Sequence, residues 1–199
     1  LTIIYGTLSL LKDSITDKNQ IDFINKAETA TIAITRQMEF TRDYKDMGVE
    51  KADWQDVDEL IHNVLANNHG KEIQFVLRLN GLEIFADSWL KKVFLNLTDA
   101  MIRYELQTNT IQVFWKESEE GLVLFFEGDA NGIPADQKET IFEHGYGNTN
   151  GFGLFLAREI LAITGITIKE TGDTENKVRF ELRIPKRAYR FKDRISSGI

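Results

Sequence analysis

Apolar residues recur every three or four positions over two stretches at the start of the chain, then give way to short runs of alternating or continuous apolar character. In LTIIYGTLSLL, Leu1, Ile3, Ile4, Leu8, Leu10 and Leu11 lie at near-helical spacing, with no capping residue ahead of them. The helix they predict is expected to begin before Leu1. Asp13 or Asp17 can cap a second helix, in which Ile21, Ile24, Ala27, Ala30, Ile34, Met38 and more weakly Thr41 form one stripe through Tyr44. The intervening turn Ser14-Ile15-Thr16-Asp17 is short, so the pair predicts an antiparallel helical hairpin. With no third helix to cover the stripe, pairing with a second copy into a four-helix bundle is the economical arrangement.

The periodicity breaks over residues 48–53, which predicts a boundary between a hairpin at 1–47 and a second domain at 53–188, followed by a basic tail at 189–199. Asp53 can cap a helix carrying Trp54, Val57, Leu60, Ile61, Val64 and Leu65, ending at Asn67-Asn68-His69-Gly70. Strands are expected at Ile73–Leu79 and Leu82–Phe85, where the Asn80-Gly81 dipeptide signals a tight hairpin. Asp87 or Ser88 starts a helix through Trp89, Leu90, Val93, Phe94, Leu97 and Met101. Strands Thr110–Lys116 and Leu122–Glu127 flank a turn at Gly121, a helix covers Phe155–Thr164, and strands Thr167–Glu170 and Lys177–Ile184 close the domain. Paired strands with helices between them predict an α+β fold, a two-layer sandwich with helices on one sheet face.

Composition narrows the function classes. The net charge of −7 opposes nonspecific nucleic-acid binding, which requires a positive field. The segment Lys186–Arg194, KRAYRFKDR, is the local exception, read as a solvated tail or as a contact for an acidic partner. No apolar run reaches the roughly 20 residues of a membrane span, so no membrane contact is expected of this segment. With no cysteine, there are no disulfides or thiolate sites, which fits a cytoplasmic location, including that of the cytoplasmic part of a longer sensor. His62, His69 and His144 have no helical metal-pair spacing.

Chemistry concentrates between Gly128 and Ile160. Two glycine-bearing turns, Ala130-Asn131-Gly132-Ile133-Pro134 and Asn150-Gly151-Phe152-Gly153, enclose a polar segment, and the second enters an amphipathic helix. Glycines let backbone N–H groups approach an anion, and a helix N-terminus adds its dipole, so the stretch reads as a phosphate cradle with a mobile lid.

Four segments, NLTDAMIRY at 96–104, GIP at 132–134, IFEHGYG at 141–147 and GFGLFLAREI at 151–160, resemble in order and spacing the N, G1, F and G2 boxes of sensor histidine kinases. The resemblance covers about residues 53–188 and implies the Bergerat ATP-binding fold, shared with the Hsp90, gyrase and MutL ATPases. It also implies ATP and Mg2+ as cofactors, a homodimer through the hairpin and a response regulator as partner. Asn96 matches the first N-box asparagine, a Mg2+ and phosphate ligand, whereas the second, four residues on and so on the same helix face, falls on Ala100. Arg103 matches a basic residue near phosphate, and Tyr104 an aromatic beside the nucleotide. In the G1 pattern Asp-x-Gly-x-Gly, Gly132 keeps the last glycine, but Ala130 replaces the first and Gly128 stands where the adenine-selecting aspartate belongs. Asp129, one residue away, could replace it only through a bulge or a loop rearrangement.

The lid half is fuller. Ile141 and Phe142 match the F-box clip, and Gly145 and Gly147 the hinges. Gly151, Gly153 and Leu154 match the turn at the triphosphate, with Thr149 and Asn150 as side-chain donors. His144 reads as a lid surface residue. The phosphoacceptor histidine of the family would lie about two turns upstream of the LTIIYGTLSLL run, ahead of Leu1. The leading expectation is a two-component histidine-kinase-like core with impaired ATP binding, a degenerate kinase or docking module. An active ATP-dependent histidine kinase with its histidine upstream of Leu1, and a nonkinase ATPase of the same fold, are the alternatives.

Overall fold

The computed structural model describes residues 2–66, 73–103, 108–146, 152–173 and 177–192, with residue 103 described by its backbone alone. The chain divides into two compact units, Leu1–Asp46 and Met47–Ile199. Among the described residues no helix is long and apolar enough to cross a membrane.

The first unit is a hairpin of α1 (Thr2–Ser14) and α2 (Lys18–Asp46). Of the two candidate caps, Asp17 serves: its Oδ1 accepts the N–H groups of Asn19 at 2.8 Å and Gln20 at 3.1 Å. Lys12 joins the helices through Glu28 at 2.9 Å. Two helices cannot bury their own stripes, and Ile3, Leu10, Phe23 and Met38 are between 61% and 84% exposed.

The second unit holds β1 (Asp53–Asp56), α3 (Val57–Ala66), β2 (Gln74–Arg78), β3 (Leu82–Ala86), α4 (Leu90–Arg103), β4 (Thr110–Ser118), β5 (Gly121–Gly128), α5 (Gly153–Ile163), β6 (Thr167–Glu170), β7 (Val178–Pro185) and β8 (Tyr189–Phe191). Short 3-10 turns lie at Thr140–Phe142 and Lys186–Ala188. A five-stranded sheet runs β2-β4-β5-β7-β6, with β2 and β4 parallel and the other pairs antiparallel. Alternation sends Ile111, Val113, Leu124, Phe126, Phe180 and Leu182 to one face, where all are at most 1% exposed. The helices cover that face. Phe94 of α4 meets Phe126 of β5 with ring centroids 5.2 Å apart, and Ala157, Ile160 and Leu161 of α5 are buried. The result is the α+β two-layer sandwich of the Bergerat fold, preceded in the chain by the helical hairpin.

Two local expectations are corrected. Asp53 does not cap α3, because Trp54 lies on β1, where it pairs with Phe85; Asp56 is the cap, accepting the N–H of Glu59 at 3.0 Å. The Asn80-Gly81 turn forms, with φ of 53° and 77° and an N–H···O bond from Leu82 to Leu79 of 3.1 Å, but its flanking strands do not pair. β2 joins β4 in the large sheet, while β3 sits between β1 and β8 in a three-stranded one. A tight turn specifies a reversal of direction, and burial chooses the partner: β3 is buried on both faces, which a two-stranded hairpin cannot provide.

The described part of the basic segment, Lys186–Lys192, is partly drawn into the fold while its four cations stay exposed. Its residues 189–191 form β8, and Arg190 Nε donates to Glu83 Oε2 at 2.5 Å while its guanidinium lies 4.3 Å from the Trp54 ring. Lys192 Nζ reaches Asp56 at 2.7 Å and Glu83 at 3.5 Å. Partial burial of the Asp56 carboxyl would raise its pKa, but the Lys192 ammonium and the N–H groups of α3 outweigh this and hold it below the usual aspartate range.

Candidate functional site

The site is built where α4, the end of β5 and the start of α5 meet. Asp87 sets α4, its Oδ1 accepting the Trp89 N–H at 2.9 Å, and the helix then buries Leu90, Val93, Phe94, Leu97 and Met101. On the same helix Asn96 is half-buried, and its Nδ2 donates to the Gly153 carbonyl at 2.9 Å. Two of the expected boxes therefore touch. A Cβ on Gly153 would stand 3.5 Å from Asn96 Cγ, an ordinary contact, so the closeness comes from packing and not from the absence of a side chain. Leu154, next in α5, is buried at 4% exposure. Ala100, one turn beyond Asn96, is also buried and supplies no polar atom.

The strand end differs from its expected pattern. Gly128 pairs with Ile111 and Val178, both fully buried, so a side chain at Gly128 would point to the helix-covered face. A Cβ there would lie 3.0 Å from Val178 Cγ1 and 3.2 Å from Thr108 Cγ2. Thr108 is itself buried and donates to the Met101 carbonyl at 2.9 Å, which holds its methyl over Gly128. Asp129 is exposed, and its Oδ1 accepts the backbone N–H groups of Asn109 at 2.8 Å and Thr110 at 3.0 Å. It fastens the entry of β4 to the exit of β5.

Beyond it, Ala130 and Ile133 are buried, and Gly132 is pressed against the loop between β6 and β7, with no room for a Cβ beside the Asp173 carbonyl. Glu170 organises that loop. Its fully buried side chain accepts from the Gly172 N–H at 2.9 Å and the Arg179 N–H at 3.1 Å, and pairs with Lys138 Nζ at 2.8 Å. Lys138 also donates to the Gly172 carbonyl, so the segment leading to the lid is tied to the loop. At the lid base Ile141 and Phe142 are both 2% exposed, and Phe142 packs edge-on to Phe180 at 6.2 Å. Tyr146 donates to Gln137 Oε1 at 2.6 Å, and Gly145 has a φ of 84°.

On the other face of β5, Glu127 receives Lys177 Nζ at 2.6 Å and Arg179 Nε at 2.7 Å. Burial alone would raise its pKa, but these two cations outweigh it and keep the carboxyl below the usual glutamate range.

Among the expected site residues, Asn96, Gly153 and Leu154 come together, and Gly132 and Asp129 lie along the β5 exit. Tyr104, Gly147, Thr149, Asn150 and Gly151 lie outside the described residues, as do His69 and the side chain of Arg103. His62 is exposed on α3, its Nδ1 2.7 Å from the Asp58 carbonyl oxygen. His144 is exposed and meets the Phe152 and Phe155 rings edge-on at 5.0 and 5.5 Å, consistent with a surface residue. Sequence reasoning passed over Thr108, Val178, Lys138 and Glu170. Thr108 sits in a polar stretch that reads as loop, and its one available signal is its placement immediately before a strand.

Comparison with known proteins agrees with this geometry. The fold is similar to that of the Acinetobacter baumannii histidine kinase AdeS, with a TM-score of 0.64 at 17% identity, covering 93% of this chain and 94% of that one. A mycobacterial sensor histidine kinase, MprB, gives 0.59 at 16% identity, covering 67% of this chain and 97% of its own. Histidine kinase ThkA, solved in complex with response regulator protein TrrA, gives 0.59 at 22% identity, covering 93% of this chain and 57% of that one. No curated protein matches in sequence. Residues 86–188, more than half of the 199, match the family described as histidine kinase-, DNA gyrase B-, and HSP90-like ATPase, and the chain belongs to that family.

Proposed function

We propose that this chain is the core of a two-component, histidine-kinase-like signalling protein in which nucleotide binding is impaired, so that the hairpin and the sheet domain act chiefly as a docking module. The observation that carries this reading is the pair Gly128 and Asp129. The position expected to select adenine has no carboxylate, and the neighbouring carboxylate is bonded to the N–H groups of Asn109 and Thr110. An adenine amino group placed there would lose a buried hydrogen bond, a cost of about 1–3 kcal/mol or roughly ten- to a hundredfold in affinity. Ala100 removes a second polar group, so the Mg2+ and phosphates would rest on Asn96 without its N-box companion. Titration with a fluorescent ATP analogue and Mg2+ is expected to show no saturable low-micromolar binding. Such binding would overturn the reading.

One observation favours a second reading, an active kinase whose histidine precedes Leu1: the Asn96 amide still meets the start of α5. In that case the γ-phosphoryl group would pass to that histidine and then to a response-regulator aspartate. A nonkinase ATPase is less well supported, because the hairpin precedes the domain and Ile141 and Phe142 form a buried lid base.

The hairpin is the proposed homodimer contact, since the exposed Ile3, Leu10, Phe23 and Met38 are too many large apolar groups for a solvated surface. Light scattering should report a dimer for the whole chain and a monomer after removal of residues 1–46. A monomeric whole chain would exclude the bundle. The kinase-like family makes a response regulator the expected partner and the cytoplasm the expected setting.

A further inference from the structure

The face of the five-stranded sheet opposite the helices carries chemistry that the nucleotide site does not use. The strand register places Arg78, Phe114, Phe125, Glu181 and Lys169 in one row across β2, β4, β5, β7 and β6. Directly opposed residues share a face, so all five project away from the helical layer. Lys116, Val123, Arg183 and Thr167 form the next row on one side, and Val76, Gln112, Glu127 and Arg179 the row on the other. At the centre the Phe114 and Phe125 rings stack 5.0 Å apart at 13°. Lys116 Nζ lies 6.0 and 5.7 Å from the two ring centroids, and the Arg179 guanidinium 5.8 Å from that of Phe125.

The sign of the charge is the distinguishing feature. Arg78, Lys116, Lys169, Lys177, Arg179 and Arg183 stand on this face against Glu127 and Glu181, in a chain whose net charge is −7. Glu127 is already neutralised by Lys177 and Arg179, and Glu181 lies 3.5 Å from Arg183. A positive rim thus surrounds a small apolar centre of Phe114, Val76 and Val123, each half-buried.

We propose that this face docks an acidic amphipathic helix of a partner protein, its carboxylates on the rim cations and its apolar side chains over the central row. Nucleic acid fits less well. Single strands bind by stacking bases on open aromatic planes, whereas Phe125 is 9% exposed, being stacked against Phe114 and flanked by Lys116 and Arg179. The rest of the acidic chain would also repel a phosphate backbone beyond this patch, while a short acidic helix meets only the patch. Four inter-strand gaps span about 19 Å, which a helix of about 13 residues matches. The surface lies across the sheet from Asn96 and Gly128, so the two sites do not overlap.

The test uses the whole chain and a fluorescein-labelled helical peptide of about 15 residues, glutamate on one face and leucine on the other. Anisotropy should show saturable binding that weakens about tenfold or more between roughly 0.05 and 0.3 M salt. The paired charge reversal Lys116→Glu with Arg183→Glu should weaken it about tenfold or more. Arg78→Glu with Lys169→Glu, at the two ends of the central row, should do the same, and a melting curve identifies which pair leaves the fold intact. Absence of saturation, or equal binding by a folded charge-reversed pair, would overturn the proposal. So would a single-stranded DNA oligonucleotide that binds more tightly than the peptide and loses affinity on the same reversals.

Discussion

Replacing Gly132 with alanine is expected to destabilise the ATPase-like unit by about 3–5 kcal/mol or more, the range of severe core disruptions. An added Cβ would overlap the Asp173 carbonyl oxygen and stand 2.6 Å from its carbon and 2.9 Å from the Lys177 carbonyl oxygen. All three are backbone atoms. They cannot swing away as a side-chain tip would, and the loop that carries them is held from several directions. Glu170 accepts the N–H groups of Gly172 and Arg179, Lys138 bonds both Glu170 and the Gly172 carbonyl, and a Cβ at Gly172 would itself overlap the Lys177 carbonyl oxygen. Relief at one contact therefore breaks another. Thermal unfolding followed by circular dichroism should show a Tm lowered by roughly 10 °C or more, and an unchanged Tm would show that the loop yields freely. The glycine that the family resemblance assigns to the nucleotide site is, in this chain, first a packing requirement.

Restoring the missing polar groups, Gly128→Asp with Ala100→Asn, should raise ATP affinity, but by less than the full ten- to hundredfold expected of a well-placed adenine hydrogen bond. The obstacle is at Gly128: its new Cβ would meet Val178 Cγ1 at 3.0 Å and Thr108 Cγ2 at 3.2 Å, so either neighbour must give by a few tenths of an ångström. Adding Val178→Ala removes the closer methyl and should bring the gain to about tenfold or more over the parent. The same fluorescent titration reads all three proteins. A triple variant that binds no better than the parent would mean that the lost carboxylate is not what limits binding. The valine change alone, in a fully buried position, should cost stability without improving affinity.

Much of this arrangement was legible in the chain. The hairpin helices, the Asp17 cap and the strands of the large sheet follow from periods of 3.6 and 2.0, because each element buries one face and its neighbours enforce the pattern. The failures share a cause. Trp54 begins an apolar series of helical spacing, yet pairing with Phe85 draws it into a strand. Asn80 and Gly81 encode their left-handed backbone, but not the separation of β2 and β3 into different sheets. The basic run at Lys186–Lys192 stays exposed, but nothing in it announces the ion pairs of Arg190 with Glu83 and Lys192 with Asp56, more than a hundred residues earlier.

The sequence by itself determined the family and the order of the four segments that resemble its boxes, because those are matters of residue identity and spacing along one chain. Only the tertiary structure decided what those segments face. Thr108 and Val178 close on Gly128, Asp129 is bonded to the start of β4, and the loop at Asp173 presses on Gly132. It also decided that the aromatic and basic residues of five separate strands form one surface. The physical reason is the same in each case: these contacts join residues tens of positions apart, and their geometry is set by sheet register and helix packing, which no local pattern of hydrophobic and polar residues encodes.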